Sequence, residues 1–138
     1  YVSNTNSTFS LLTEIQLLIA SAITAEPQKE SKHWATETAQ YIQDHLLETI
    51  DYSQLARDMN FGYENFRKLF KQEFGIPPTK YQISLIMEKA CKLMVEDNLS
   101  IRETAQQVNF CDEFHFSKQF KKAVGVSPKE YKRLSKSL

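Results

Sequence analysis

Between residues 56 and 131 this chain writes one pattern twice. Residues 61–81 read FGYENFRKLFKQEFGIPPTKY and residues 110–131 read FCDEFHFSKQFKKAVGVSPKEY. Phe66, Phe70, Gly75, Pro78 and Tyr81 recur as Phe116, Phe120, Gly125, Pro128 and Tyr131, each 50 positions on. Upstream, Ala56, Asn60, Phe61 and Glu64 recur as Ala105, Asn109, Phe110 and Glu113, each 49 positions on. The offset changes between Glu64 and Phe66, which puts one extra residue at the start of the second copy's helix. So many identities in order imply a tandem duplication of one supersecondary unit.

The spacing inside each copy is helical. Phe116, Phe120 and Val124 fall at i, i+4 and i+8, one face of a helix, while Lys118, Lys121 and Lys122 lie off that stripe. Gly125 suits a helix stop, and Pro128 suits the first turn of the next helix. Extended over the chain, the same reading predicts helices over 34–48, 53–59, 63–74, 78–96, 101–108, 112–124 and 127–134. Ala39, Ile42, Leu46 and Leu47 point inward in the first of these. Leu55, Ala56 and Met59 do so in the second, and Tyr81, Leu85, Ala90, Leu93 and Met94 in the 78–96 helix. Ser100 with Glu103 three residues on forms a capping-box pattern. A further helix is expected over 8–26, capped by Ser7 or Thr8 and carrying Leu11, Ile15, Leu18 and Ala22 on one face. The polar run PQKESKH over 27–33 reads as a linker. Period-2 alternation is scarce, and three glycines and four prolines leave little material for hairpins. The expected fold is therefore all-α. It is a bilobed domain of two helix-turn-helix units joined by a long linker helix, plus an N-terminal extra helix. Residues 1–33 form the helix and linker, expected to end an upstream effector or dimerisation domain, and 34–138 the double unit. Residue 1 is Tyr rather than Met, so a longer parent protein is expected.

Formal net charge is zero, a mild argument against a nucleic-acid binder, but the charges are segregated. Residues 1–50 hold Lys29 and Lys32 against Glu14, Glu26, Glu30, Glu37, Asp44 and Glu48. Residues 112–138 hold Lys118, Lys121, Lys122, Lys129, Lys132, Arg133 and Lys136 against Asp112, Glu113 and Glu130. Cys91 and Cys111 have no metal-ligand spacing, and the three histidines are scattered, so no metal and no cofactor are expected. Both thiols are expected to be reduced. Cys111 lies near a helix start, where a thiolate is favoured, and its plainer reading is a small residue replacing a cap. The apolar run over 11–23 contains Glu14 and Gln16 and lacks a basic leader, so neither a signal peptide nor a membrane span is expected, and the location is expected to be cytoplasmic.

A short helix, a tight turn and a second helix with a basic outer face form the helix-turn-helix, whose second helix enters the major groove. Ala56 and Ala105 meet its need for close helix crossing, and Phe61 and Phe110 anchor the turn. Off the apolar stripe, the first unit offers Glu64, Asn65, Arg67, Lys68 and Lys71. The second offers Glu113, Phe114, His115, Ser117, Lys118 and Lys121. Arg and Lys pair with guanine, Asn with adenine, Glu with the cytosine amino group, and Phe with the thymine methyl. Any one of these charges alone reads more plainly as a solvated helix face; the duplication is what favours double-stranded DNA as the partner. A linker helix of about 18 residues is roughly 27 Å long. Two reading helices set on such a rod match major-groove faces that recur about every 34 Å.

On these residues, most specifically Ala105 to Tyr131 with NF, FSKQFKK, G, SP and Y in register, the chain resembles the DNA-binding domain of the AraC/XylS family of bacterial transcription regulators. The likeness covers roughly residues 34–133. It implies a seven-helix bilobed domain with base-facing positions at Glu64, Asn65, Arg67, Lys68, Glu113, Phe114, Ser117 and Lys118. It also implies a transcription regulator, commonly an activator, with RNA polymerase as a candidate partner and a homodimer formed through the N-terminal helix or an upstream domain. The sequence departs from the family pattern at Gly62–Tyr63, Ile86 and Cys111. The rival readings are a helical module that binds only protein, an enzyme and a membrane-surface helix. The first would tolerate Arg67→Ala and Lys118→Ala. The second lacks a clustered acid–base set, and the third needs apolar faces already committed to cores.

Overall fold

The computed structural model describes residues 33–137. The expected helix over 8–26, and the linker up to residue 32, lie outside them. Among the described residues there are seven helices and no strand: α1 His33–Asp44, α2 Tyr52–Asp58, α3 Tyr63–Phe74, α4 Pro78–Val95, α5 Ile101–Gln107, α6 Glu113–Val124 and α7 Pro128–Lys136. The chain divides into two compact units inside α4, between Gln82 and Ile83.

In the first lobe, α1 buries Ala35, Thr38, Ala39 and Ile42, the i, i+3, i+4, i+7 stripe of an amphipathic helix. Buried Thr38 is satisfied, its Oγ1 lying 2.7 Å from the Trp34 carbonyl and 3.1 Å from Met59 Sδ. Helix α1 stops at Asp44, four residues short of the sequence expectation. The Gln82 amide donates to the carbonyls of Leu46 (2.9 Å) and Glu48 (3.1 Å). The turn after α1 thus finds hydrogen-bond partners outside a helix, and Leu46 and Leu47 end half-buried. Helix α2 starts one residue early, at Tyr52, because Asp51 caps it by accepting from the Gln54 N–H at 3.0 Å. Tyr52 is buried and donates to Gln82 Oε1 at 2.7 Å. Burial, then the neighbouring Tyr63, holds its phenol well above the ordinary range.

The turn between α2 and α3 explains the upstream half of the repeat. Asn60 takes a left-handed conformation (φ 63°). Its N–H donates to Arg57 O at 2.9 Å, and the Phe61 N–H reaches back to Ala56 O at 2.8 Å. This is a Schellman stop with asparagine where glycine is usual. The second lobe repeats it bond for bond: Asn109 has φ 62°, Asn109 N–H donates to Gln106 O at 3.1 Å and Phe110 N–H to Ala105 O at 2.9 Å. Ala56 and Ala105 lie buried under these turns.

The downstream half of the repeat forms the cores. Phe66 and Phe70 are fully buried, and Tyr81 meets Phe70 edge-on at 5.6 Å. Phe116 and Phe120 are likewise buried, with Tyr131 edge-on to Phe120 at 5.7 Å. Trp34 closes the first core against Phe61 (4.9 Å) and Phe66 (5.7 Å). In the second lobe, α4 buries Met87, Ala90, Cys91 and Met94, the same spacing as the stripe of α1. Leu85 and Leu93, expected as anchors, are only half-buried. The Ser100–Glu103 capping box forms, its two bonds at 2.8 and 3.1 Å.

The structure relocates the extra residue of the second copy. Helices α3 and α6 are both 12 residues long and start at Tyr63 and Glu113. The 50-residue offset therefore already holds at their caps, Gly62 and Asp112, and the insertion is Cys111, in the turn. Asp112, not Cys111, caps α6.

Two outcomes follow. Asn60→Ala should cost about 1 kcal/mol in denaturant unfolding, the strain of a Cβ-bearing residue without asparagine's local hydrogen bonding in the left-handed region, while Asn60→Gly should be neutral or stabilising. Burial pushes the Cys91 thiol up to about 12, against a hydrogen bond with Tyr131 that acts the other way. At pH 8 it stays a neutral thiol, so a thiol-reactive probe should label exposed Cys111 quickly and Cys91 only on unfolding.

Candidate nucleic-acid interface

The buried phenylalanines decide which faces of α3 and α6 remain outside. With Phe66 and Phe70 committed to the core, Tyr63, Glu64, Asn65, Arg67, Lys68 and Lys71 are exposed. The five first-lobe residues expected from the sequence, Glu64, Asn65, Arg67, Lys68 and Lys71, line one shallow depression together with Pro77. Glu64 and Arg67 face each other at 3.9 Å across one turn, with side chains 83% and 52% exposed. A pair this wet is worth at most about 1 kcal/mol, so both groups can be recruited by a ligand at little cost.

On α6, Phe114, His115, Lys118 and Lys121 are exposed and Ser117 is half-buried. Aligned from the caps, the positions correspond as Glu64 with Phe114, Asn65 with His115, Arg67 with Ser117, Lys68 with Lys118 and Lys71 with Lys121. Glu113 corresponds to Tyr63, not to Glu64 as the shared letter suggests. Glu113 lines a second depression with Ser100, Ile101, Arg102, Lys129, Lys132, Arg133 and Lys136. Five cations there face one carboxylate. Lys132 Nζ is held by the Leu99 carbonyl at 2.8 Å. Arg133 is held by Glu130, whose carboxyl it keeps below the usual range.

Tyr63 and this cationic group are what sequence reasoning missed. The basic C-terminal segment was visible as composition, but which of its lysines meet Arg102 depends on how α7 packs. Among the described residues no three metal-binding side chains gather, and no helix is long and apolar enough to cross a membrane.

The two helix starts differ in capping. Asp112 accepts from the His115 N–H at 2.6 Å. Gly62 makes no side-chain cap, and a Cβ placed on it meets nothing within 4 Å.

A short helix, a left-handed turn and a second helix with a polar and cationic outer face, built twice, define a double helix-turn-helix domain. A family profile described as "Helix-turn-helix domain" matches residues 55–134, more than half of the chain. The fold is similar to the C-terminal domain of AraT, a response regulator from Geobacillus stearothermophilus. That match has 33% identity and a TM-score of 0.65, and covers 74% of this chain and 85% of that one. The DNA-binding domain of AdpA, a global transcriptional factor solved in complex with a target DNA, has the same fold at 22% identity. Its TM-score is 0.64, over 75% of this chain and 93% of that one. The arabinose operon regulatory protein of Escherichia coli (strain K12) is 27% identical over 124 residues, 89% of this chain and 42% of its own length. The chain belongs to the AraC/XylS family of helix-turn-helix proteins. It spans less than half the length of the curated relatives it matches.

Gly62→Asp should supply the missing cap of α3 and raise stability by a few tenths of a kcal/mol, while Asp112→Ala should lower it by about 1 kcal/mol. Denaturant melts of the two variants check both signs.

Proposed function

We propose that this chain is the DNA-binding part of a bacterial transcription regulator, an activator by the family resemblance, acting in the cytoplasm on double-stranded DNA. Its work is recognition rather than catalysis. The observation that carries the reading is the matched pair of faces. In each lobe two buried phenylalanines one turn apart leave an outer face of mostly polar and cationic residues on the second helix of the motif, with Asn65, Lys68 and Lys71 matched by His115, Lys118 and Lys121. Such a helix fits the major groove, about 12 Å wide.

In the first lobe, Arg67 and Lys68 suit guanine O6 and N7, Asn65 suits adenine, and Glu64 suits the cytosine N4 amine. In the second, Phe114 suits a thymine methyl, and His115, Ser117 and Lys118 suit base edges or phosphate. Lys71 and Lys121, nearer the helix ends, suit the backbone. The cations beside Glu113 suit phosphates flanking the element read by α6. RNA polymerase and a second copy of the chain are the further partners we propose.

Selection from a random duplex library at near-physiological salt tests the reading. Two short enriched elements about 10 bp apart, or one helical turn, are expected. Affinity should fall steeply with salt, as phosphate neutralisation requires. Arg67→Ala and Lys118→Ala should each cost about 1–3 kcal/mol and relax preference at one position of their element. A double variant with unchanged affinity and preference would remove these residues from the interface. No enrichment at all, with weak binding at low salt, would turn the assignment toward a protein-only partner.

A further inference from the structure

The second residue of each reading helix is where the lobes differ most in chemistry. In α3 it is Glu64, a carboxylate; in α6 it is Phe114. Phe114 is 83% exposed, the most exposed large hydrophobic side chain among the described residues. The other large apolar residues of α6, Phe116, Phe120 and Val124, are all buried, so the ring stands alone on a polar face between Glu113 and His115, one turn from Lys118. It adds nothing to the core. One ring ringed by polar groups is also far smaller than the apolar centre a stable protein interface needs.

Resting on the base-reading role proposed above, the geometry points to a more specific property: Phe114 makes the second lobe a reader of the pyrimidine C5 methyl group. A phenyl ring carries no conventional hydrogen-bond donor or acceptor, its face taking only weak N–H contacts. It makes no directed bond to the thymine O4 or the cytosine N4 amine, which distinguish those bases for polar side chains. The one major-groove feature it can favour is the methyl that thymine carries and that uracil and cytosine lack. 5-Methylcytosine presents the same methyl at the same ring position. Phe114 should therefore prefer thymine to uracil, and 5-methylcytosine to cytosine, at one place in the second-lobe element. Glu64 at the equivalent position of α3 has no such preference, so methyl sensitivity should be confined to one half of the binding site.

The test uses the selected duplex, with each thymine replaced in turn by deoxyuridine. At one position in one element, wild-type affinity should fall about fourfold, the factor for burying a single methyl group. Cytosine at that position should bind worse than thymine, and 5-methylcytosine should recover the methyl part of the loss. Phe114→Ala should bring the thymine-to-uracil ratio to about one, and Phe114→Leu should keep part of it; both should melt like wild type, since the ring is outside the core. Sequence selection with no methyl-sensitive thymine, or an unchanged ratio in Phe114→Ala, overturns the methyl reader alone. Absence of any selected sequence overturns base reading and this inference with it.

Discussion

Each lobe depends on a turn that only a few residue types can make. Asn60 and Asn109 sit in the left-handed region, where asparagine's local hydrogen bonding offsets a cost that most side chains would bear in full. The Phe61 and Phe110 amides then fold back onto the last turn of the preceding helix, over the alanines at 56 and 105. A larger side chain at either alanine would push the helices apart. Those bonds set the direction in which α3 and α6 leave the turn, and that direction chooses which face of each is buried.

Everything on the outer face inherits this choice. Phe66 and Phe70, or Phe116 and Phe120, are drawn into aromatic clusters closed by Tyr81 and Tyr131. Among the described residues no buried side-chain nitrogen or oxygen lacks a hydrogen-bond partner, so the cores hold no unmet polar side chain that would loosen them. A rigid underside of this kind holds exposed side chains such as Asn65, Arg67 and Lys118 at fixed spacings on a helix, which is the requirement for reading a regular surface.

The duplicated scaffold carries different details in its two copies. The first lobe starts α3 on an uncapped glycine and seals its core with Trp34. The second inserts Cys111, caps with Asp112, and collects a cationic depression from α5 and α7. Family membership speaks for the shared part. The outer side chains, Glu64 against Phe114 and Arg67 against Ser117, are where the two copies diverge.

By itself the sequence determined that the chain is helical, that a unit is repeated, where α3 begins and ends, and which phenylalanines face inward. Those facts follow from local spacing, from glycine stops and from a repeat that compares the chain with itself. The exposed face of α3 was legible for the same reason: once Phe66 and Phe70 are inside, helical geometry alone puts Glu64, Asn65, Arg67, Lys68 and Lys71 outside. Only the tertiary structure decided what depends on partners distant in sequence. Helix α1 ends at Asp44, and the Gln82 amide, 34 to 36 residues away in sequence, takes the carbonyls of Leu46 and Glu48 in the turn that follows. Burial against the second lobe's core selects Met87 and Cys91 over Leu85 and Leu93. The capping bond of Asp112 shifts the inserted residue to Cys111 and so pairs Phe114 with Glu64. Letter identity had aligned Glu64 with Glu113, but a helix is registered by its cap and its buried stripe, and these are settled by packing.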